Sequence, residues 1–425
     1  MNRWRVGGRS NAAVGLATLV AGGFGLMVAM VIGRFALTPI LPFMRDEAGM
    51  SNAQAGFVAS GTYVGYLLGV AMSARIIRRF EATTVARGGL VAVTVGTAAM
   101  AVTADWIVWT GIRTVIGMGS GLAFVAISSI AFAVVQRLQR PHLIALTFTG
   151  IGSGIVISTV VVWLLALVPM GAPAMWIGVA AIAVLATMVV LVLLVDEEPE
   201  DGAARAGHSE PARPAALAVR SRRLEPGLAW LIVGYGLSGF GYVVAATYLV
   251  VIARDADLGR TFEMLSWIAV GVSSLGSVPL WTAVAGRIGD RGALMGALAM
   301  QGFGVAALAV RASPATLVFC AATLGLSFVA ITTLALTLAR RIAPGRATSA
   351  IAQVTITYGI GQIVGPVVAG AVADWAGDFR LACALAAVAL AVAVAVTTRI
   401  PQPRPAAPST GTVGGDDPAV VTPRS

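Results

Sequence analysis

The chain has 425 residues, of which 58% are hydrophobic and only 11% are charged, and its mean hydropathy is +0.88. This composition excludes an ordinary soluble globular protein, which would carry about 25% charged residues. The net charge of +10 would suggest a nucleic-acid partner for a soluble protein. In so apolar a chain the basic residues are better explained by their position relative to a membrane, and no nucleic acid is expected.

Twelve apolar segments, six on each side of one charged stretch, are long enough to cross a bilayer as helices of about 20 residues. Lipid cannot satisfy backbone polar groups, so each segment is predicted to be helical. The first segment follows three arginines, as a secretory signal would, but its length and the eleven further spans predict an uncleaved helix. The segments lie at residues 13–44, 53–74, 87–104, 107–135, 143–168 and 173–195, and at 228–253, 263–284, 293–310, 314–339, 348–373 and 380–398.

The segments predict an all-α membrane protein with an N-terminal six-helix bundle at 1–195 and a C-terminal six-helix bundle at 228–398. Residues 196–227 begin with a cluster of acidic residues and continue with arginine, proline and alanine. Such a segment buries too little apolar surface to order itself, so it is predicted to be a cytoplasmic linker. The proline-rich residues 399–425 are predicted to be a disordered cytoplasmic tail.

All 29 basic residues are arginines, and their distribution predicts the orientation. With the N-terminus inside, five arginines fall on the outer side, two fall within the membrane, and the other 22 lie in or beside cytoplasmic segments. This bias predicts a multi-pass protein of the bacterial inner (plasma) membrane with both termini in the cytoplasm, in contact with membrane lipid. The outer arginines are Arg45, Arg254, Arg260, Arg311 and Arg380, and those within the membrane are Arg34 and Arg113. Cys320 and Cys383 lie inside predicted spans, so no disulfide is expected.

Small residues recur at four-residue spacing in several segments, which favours close helix packing in lipid. They are Ala21, Gly25, Ala29 and Gly33 in the first segment, Gly61, Gly65 and Gly69 in the second, Gly117 and Gly121 in the fourth, Gly150 and Gly154 in the fifth, and Gly361 and Gly365 in the eleventh.

Four stretches resemble the major facilitator superfamily, and specifically its YbfB/YjiJ-type branch. They are GRFALTPILP from Gly33, GTYVGYLLG from Gly61, GYGLSGFGY from Gly234 and YGIGQIVGP from Tyr358. The resemblance covers nearly the whole chain apart from the linker and the tail. It implies two pseudo-symmetric six-helix bundles around a central cavity, and a secondary active transporter that works by rocker-switch alternating access. The chain is expected to act as a monomer on a small-molecule substrate.

The sequence GRIGDRG at 286–292 is similar to the superfamily's loop signature, in which an acidic residue and arginines brace the closed cytoplasmic gate. The resemblance assigns gating roles to Asp290 and Arg291. The equivalent loop of the first half contains Arg75 and Arg78 but has no aspartate at the expected place. A symmetric gate is therefore not implied.

Arg34 and Arg113 are the strongest candidates for substrate contact, because an arginine near the middle of a membrane needs a cavity or a partner. Both are expected at a similar depth in the outer half, and Arg113 is similar to an arginine in the superfamily's fourth helix. Two unneutralised cations beside the cavity would attract an anion such as a carboxylate. Alternatively, each arginine is structural: it caps a backbone carbonyl, extends outward to the membrane surface, or pairs with a loop carboxylate such as Asp46, Glu47 or Glu263.

Six further side chains are candidate substrate contacts, because they share helical stripes with other polar residues or lie in segments that border the cavity of the resembled fold. They are Thr38, Tyr63, Tyr66, Tyr242, Tyr358 and Gln362. For each tyrosine, a packing or interfacial role is the alternative.

All 19 Asp and Glu residues fall in loops, in tails or at segment ends, so no proton-carrying carboxylate is predicted within the membrane. No catalytic residue, metal site or cofactor is predicted, and no enzyme activity is expected. The favoured function is transport of a small organic anion. Two alternatives remain: a multidrug-type exporter of hydrophobic compounds, in which the arginines are structural, and a non-transporting membrane receptor.

Overall fold

A computed structural model describes residues 11–168, 170–194 and 225–401. Within these ranges the chain forms helices and no strand, which confirms the predicted all-α class. The helices are α1 (Asn11–Leu26), a π-helical segment (Met27–Phe35), α2 (Leu37–Ala48), α3 (Asn52–Phe80), α4 (Ala82–Ala99), α5 (Trp106–Leu138), α6 (Ile144–Ala166), α7 (Gly171–Leu193), α8 (Pro226–Asp255), α9 (Arg260–Ser274), α10 (Ser277–Val310), α11 (Pro314–Ile342), α12 (Ala347–Ala376) and α13 (Arg380–Thr397). Most of the predicted linker and nearly all of the predicted tail lie outside the described residues.

In the described ranges, eleven helical stretches are long and apolar enough to cross a membrane, where the sequence predicts twelve. The difference arises in α9 and α10. Helix α9 has only 15 residues, and a short turn at 275–276 separates it from α10. Pro279, just after the turn, has no N–H to donate to the preceding turn. Helix α10 in turn contains Gly289 at φ 78°, a conformation that glycine tolerates. Predicted span 263–284 therefore runs from α9 into α10, and the part of α10 beyond Gly289 forms the next span.

Successive spans alternate in direction, so the turns between spans lie at two ends of the molecule. The terminal end is defined here as the end where α1 begins and α13 finishes, and the far end as the end where α2 and α8 finish. The five arginines predicted on the outer side all lie at the far end. They occupy the last turns of α2 and α8, the first residues of α9 and α13, and the residue after α10.

The predicted small-residue faces pack helices closely together. Gly61, Gly65 and Gly69 of α3 lie against the backbone of α5, and a Cβ on Gly65 would overlap the carbonyl oxygen of Thr114. In return, a Cβ on Gly117 of α5 would overlap the carbonyl oxygen of Thr62. This face of α3 is therefore fixed against α5, which leaves its other face for the space between the two halves.

The first half (α1–α7) and the second half (α8–α13) touch chiefly along three helix pairs, α3 with α12, α6 with α9, and α2 with α8, and α2 also touches α9. The approach of α3 to α12 is close, because a Cβ on Gly56 would overlap the carbonyl oxygen of Pro366. Large apolar side chains such as Leu185, Val192 and Phe303 are about 70% exposed on the outside, as expected of surfaces that face lipid.

Candidate substrate site

The helix that carries Arg34 is π-helical from Met27 to Phe35. A π-helix leaves the usual ladder of hydrogen bonds, and short π segments are frequent at functional sites. Pro39 lies just beyond and has no N–H to donate to the carbonyl groups of this segment. Side chains of α5 supply donors instead: Ser120 Oγ donates to the Ala29 carbonyl at 2.5 Å, and Arg113 Nη2 donates to the Arg34 carbonyl at 3.2 Å. Helix α5 thus holds the segment in its widened form.

The Arg34 side chain lies among aromatic rings, and only 8% of the residue is exposed. Its guanidinium carbon is 4.3 Å from the centre of the Tyr66 ring, 5.0 Å from that of Tyr63 and 5.7 Å from that of Phe35. Such cation–π contacts contribute about 0.5–2 kcal/mol each. Arg34 Nε has no hydrogen-bond partner. The rings stabilise the cation but leave at least one of its donors unused.

Arg113 is fully buried beside the backbone of Arg34. Its Nε donates to Thr62 Oγ1 at 2.8 Å, its Nη2 donates to the Arg34 carbonyl, and its guanidinium carbon is 5.9 Å from the Trp176 ring. Its Nη1 has no partner. Arg113 therefore binds the backbone that presents Arg34, and it adds a second positive charge beside the first, at the similar depth that the sequence predicts.

Among the described residues, neither Arg34 nor Arg113 pairs with a carboxylate. The three acids that the sequence offers as structural partners are engaged elsewhere. Glu263 and Asp46 bind Arg254, and Glu47 accepts from the backbone N–H of Ala172 at 2.9 Å, where α7 begins. Two positive charges in the interior thus have no negative partner in the part of the chain that the structure describes.

The second half supplies an aromatic wall to the same region. The Tyr358 ring stacks on Tyr235 at 4.3 Å and lies 6.1 Å from Tyr242, which lies 6.0 Å from Phe328. Phe35 of the first half packs edge-on against Phe328 at 5.8 Å. Phe35 therefore connects this wall to Arg34, whose guanidinium carbon lies 5.7 Å from the Phe35 ring. Of the six predicted contacts, Tyr63 and Tyr66 lie against Arg34, and Tyr242 and Tyr358 lie in the neighbouring wall of the second half.

The other two predicted contacts have different surroundings. Thr38 Oγ1 donates to the Ala246 carbonyl at 2.7 Å and so joins α2 to α8. Gln362 on α12 is 2% exposed, and its Nε2 has no partner. Thr38 is therefore a contact between the halves in this conformation, whereas Gln362 retains a free donor.

A small void in the second half was not predicted from the sequence. It lies among Ser238, Tyr242, Gln301, Phe328, Ile331 and Tyr358 and has no room for a water molecule. Gln301 is 1% exposed, and neither its Oε1 nor its Nε2 has a partner. The available signal was a glutamine in the middle of an apolar segment, since polar side chains inside a membrane usually face a cavity or another polar group.

At the far end, paired charges join the two halves. Arg254 donates to Glu263 at 2.6 Å and to Asp46 at 2.8 Å, and Arg45 donates to Asp255 at 2.5 Å. The contacts to Asp46 and from Arg45 both connect the first half to the second. Nearby, both oxygens of Asp374 accept from the backbone at the start of α3 at 2.9 Å.

The predicted gating residues lie at the terminal end and contact their own half. Asp290 forms an ion pair with Arg341 at 2.7 Å, and Arg291 donates to the Ile400 carbonyl at 2.8 Å. Arg75 and Arg78 at the end of α3 are exposed. In this conformation these side chains do not join the two halves within the described ranges.

Comparison with known proteins identifies the family. A sequence-family model described as "uncharacterised MFS-type transporter YbfB", where MFS denotes the major facilitator superfamily, matches residues 26–398. The chain belongs to this family. The predicted resemblance and the predicted fold are thereby confirmed, and the chain is a multi-pass membrane protein of a transporter family. No curated protein matches the sequence.

Solved structures share this fold. The crystal structure of a mutant of the nucleoside transporter NupG has a TM-score of 0.73 and 14% identity, covering 91% of this chain and 99% of that one. A second crystal structure of the nucleoside transporter NupG has a TM-score of 0.67 and 14% identity, covering 92% of this chain and 98% of that one. At this identity the likeness shows the fold alone.

Proposed function

We propose that this secondary transporter carries a small organic anion, which binds at Arg34 between the two halves. The observation that carries the proposal is a buried arginine with an unused donor and no carboxylate partner among the described residues. An unpaired charge inside a protein is costly, and an anion from outside the chain removes that cost. A carboxylate suits a guanidinium because two parallel hydrogen bonds form at once.

The aromatic rings complement this role. Tyr63 and Tyr66 of the first half contact the guanidinium, and Phe328 of the second half packs against Phe35, whose ring lies 5.7 Å from the same guanidinium carbon. An anion at Arg34 is therefore bound by both halves, as alternating access around a fixed central site requires. The paired charges at the far end close one route to the site.

With both termini in the cytoplasm of a bacterial cell, the far end faces outward, and this conformation is closed to the outside. Transport of a monoanion without a coupling ion moves one charge across the membrane. An inside-negative potential then favours export by about 2.3 kcal/mol per 100 mV and opposes import by the same amount. Export is therefore the easier direction for an uncoupled carrier.

A multidrug-type exporter is the second candidate, and the aromatic cluster around Tyr242, Tyr358 and Phe328 favours it. In that case hydrophobic compounds bind the rings and the arginines are structural. The two candidates differ in whether flux depends on Arg34.

The test is flux in proteoliposomes under imposed potentials and pH gradients, with a panel of organic anions and hydrophobic dyes. Arg34→Gln removes the charge, and Arg380→Gln is the matched control, because Arg380 is exposed and bonds only carbonyl groups near the end of α10 among the described contacts. We expect anion flux that an inside-negative potential drives outward, that Arg34→Gln lowers about 100-fold and that Arg380→Gln leaves intact. Dye flux untouched by Arg34→Gln, without anion flux, would favour the exporter.

A further inference from the structure

The void beside Gln301 points to the part of the substrate that Arg34 does not bind. Gln301 is buried in α10, and neither its amide oxygen nor its amide nitrogen has a hydrogen-bond partner among the described residues. Leaving a buried polar group unsatisfied costs about 1–3 kcal/mol. A side chain with both a donor and an acceptor unused, lining an internal void, has the properties of a binding residue.

The walls of the void are aromatic. Tyr242, Phe328 and Tyr358 border it, and their ring planes lie within 12–17° of parallel along the series from Phe328 through Tyr242 to Tyr358. Nearly parallel rings favour a flat ligand over a bulky aliphatic one, because aromatic rings stack in offset, parallel arrangements. Ser238 also lines the void, and its hydroxyl donates to the Tyr235 carbonyl at 2.8 Å.

The void adjoins the Arg34 site through Phe35, whose ring lies 5.7 Å from the Arg34 guanidinium carbon and packs edge-on at 5.8 Å against Phe328, which lines the void. One molecule placed between them meets a cation at one end, flat aromatic surfaces along its length, and an amide at the other end.

Rocking of the two halves against each other would enlarge the void enough to admit a ring. The void is too narrow for water in this conformation, and Phe35 of the first half packs edge-on against Phe328. Every residue that lines the void belongs to the second half, so separating the halves withdraws Phe35 from Phe328 and allows this wall to move. Entry of a ligand is thereby linked to the motion that opens the site.

We infer that the transported anion is an aromatic or heteroaromatic carboxylate, whose carboxylate binds Arg34, whose ring packs against Tyr242, Phe328 and Tyr358, and whose polar ring edge hydrogen-bonds to Gln301. This inference rests on the proposed function and narrows its substrate class. The amide of Gln301 donates and accepts, so a ring hydroxyl or a ring nitrogen satisfies part of its requirement.

The experiment measures inhibition of flux, and direct flux, for three carboxylates of similar size in proteoliposomes: 4-hydroxybenzoate, benzoate and cyclohexanecarboxylate, with 3-hydroxybenzoate as a second hydroxylated ring. We expect the aromatic acids to bind about tenfold more tightly than cyclohexanecarboxylate, and the tighter-binding of the two hydroxybenzoates to bind more tightly than benzoate. Gln301→Leu should weaken binding of that hydroxybenzoate about tenfold and change the affinity for benzoate by no more than about twofold. Gln353→Leu is the matched control, because Gln353 also has an unpartnered amide oxygen but does not line the void. We expect it to leave all four affinities unchanged.

A second variant, Phe328→Leu, keeps the test informative if Gln301→Leu fails to fold. It should weaken binding of the aromatic acids about fivefold to tenfold and leave the affinity for cyclohexanecarboxylate unchanged. Equal affinities for benzoate and cyclohexanecarboxylate, with flux that still depends on Arg34, would overturn the ring site and leave the anion site standing. Absence of anion flux, or flux insensitive to Arg34→Gln, would overturn the proposed function itself.

Discussion

The far end and the centre of the molecule both contain arginines, but of these two regions only the far end, among the described residues, has arginines that are paired with acids. At the far end, Arg45 and Arg254 bind Asp255, Asp46 and Glu263 at 2.5–2.8 Å. In the centre, Arg34 and Arg113 have aromatic rings, a hydroxyl and a carbonyl as neighbours but no acid among the described residues. Paired arginines hold the two halves together, whereas an unpaired arginine in the interior has a charge available for a ligand.

The largest effect should come from giving Arg34 an acid of its own. The Tyr66 ring lies 4.3 Å from the guanidinium carbon, so Tyr66→Glu places a carboxylate within reach. We expect anion flux to fall about 100-fold, because the internal pair competes with the substrate for about 2–5 kcal/mol of charge interaction. The measurement is initial flux in proteoliposomes.

Tyr66→Gln is the control for Tyr66→Glu, because it removes the same ring and adds a side chain of the size of glutamate but without the charge. We expect it to lose no more than about tenfold in flux. Equal losses in the two variants would mean that the ring, and not the free charge, matters at this position.

Removing a paired arginine at the far end, and so leaving its acids without a cation, should have the next largest effect. Arg254→Gln leaves the Glu263 side chain, which is 5% exposed, buried without its partner. Removing one member of a buried pair costs about 3–5 kcal/mol. The variant also loses the contact from Arg254 to Asp46 of the first half at 2.8 Å, which joins the two halves at the far end, so the conformation closed there is destabilised. We expect the variant to favour the opposite conformation.

The readout is maleimide labelling of a cysteine introduced at Ser60, which is buried and donates to the Ile363 carbonyl at 2.6 Å across the halves. The natural residues Cys320 and Cys383 are buried and give a low background. Labelling from the far end should accelerate at least tenfold in Arg254→Gln and remain unchanged in Arg380→Gln. Unchanged labelling in Arg254→Gln would mean that the contacts of Arg254 do not hold the far end closed.

Arg113→Gln should have a smaller effect on transport than loss of the Arg34 charge. The variant loses the bonds to Thr62 and to the Arg34 carbonyl, so Arg34 is presented less accurately. Hydrogen bonds from charged groups contribute about 1.5–3 kcal/mol, which corresponds to a loss in flux of roughly 10- to 100-fold. Thr62→Val removes only one acceptor and should lose less. A larger loss in Thr62→Val than in Arg113→Gln would contradict this role.

The smallest effect is expected at the exposed pair of the far end. The Asp255 side chain is 40% exposed, and exposed ion pairs contribute about 0–1 kcal/mol. We expect Asp255→Asn to lower the midpoint of thermal unfolding by no more than a few degrees and to lose its effect at high salt. A fall in the midpoint of thermal unfolding as large as that of Arg254→Gln would show that the two ion pairs act as one unit.

The sequence predicts the two central arginines because a charged residue stands out inside an apolar segment. Gly61, Gly65 and Gly69 were recognisable by their spacing, and the structure confirms them as a packing face. These features depend on a single helix, so a single stretch of sequence contains enough information to identify them.

Features that depend on the positions of several helices were not predictable in the same way. Arg45 and Asp255 are 210 residues apart, and only the packing of α2 against α8 brings them together. The π-helical form of residues 27–35 depends on donors from α5, which no local pattern reveals. Gln301 was visible as a polar residue in an apolar segment, but its neighbours Tyr242 and Phe328 come from other helices that no local pattern identifies.

The most direct test of the unpaired charge is calorimetric titration of purified protein with the anion that gives the highest flux, using the wild type, Arg34→Gln and Arg45→Gln. Arg34 is unpaired and Arg45 is paired with Asp255, so the two variants remove the same charge from the two kinds of environment. We predict that Arg34→Gln weakens binding about 100-fold and that Arg45→Gln stays within about fivefold of the wild type. Wild-type affinity in Arg34→Gln would contradict the account, because the central arginine would then have no anion to bind.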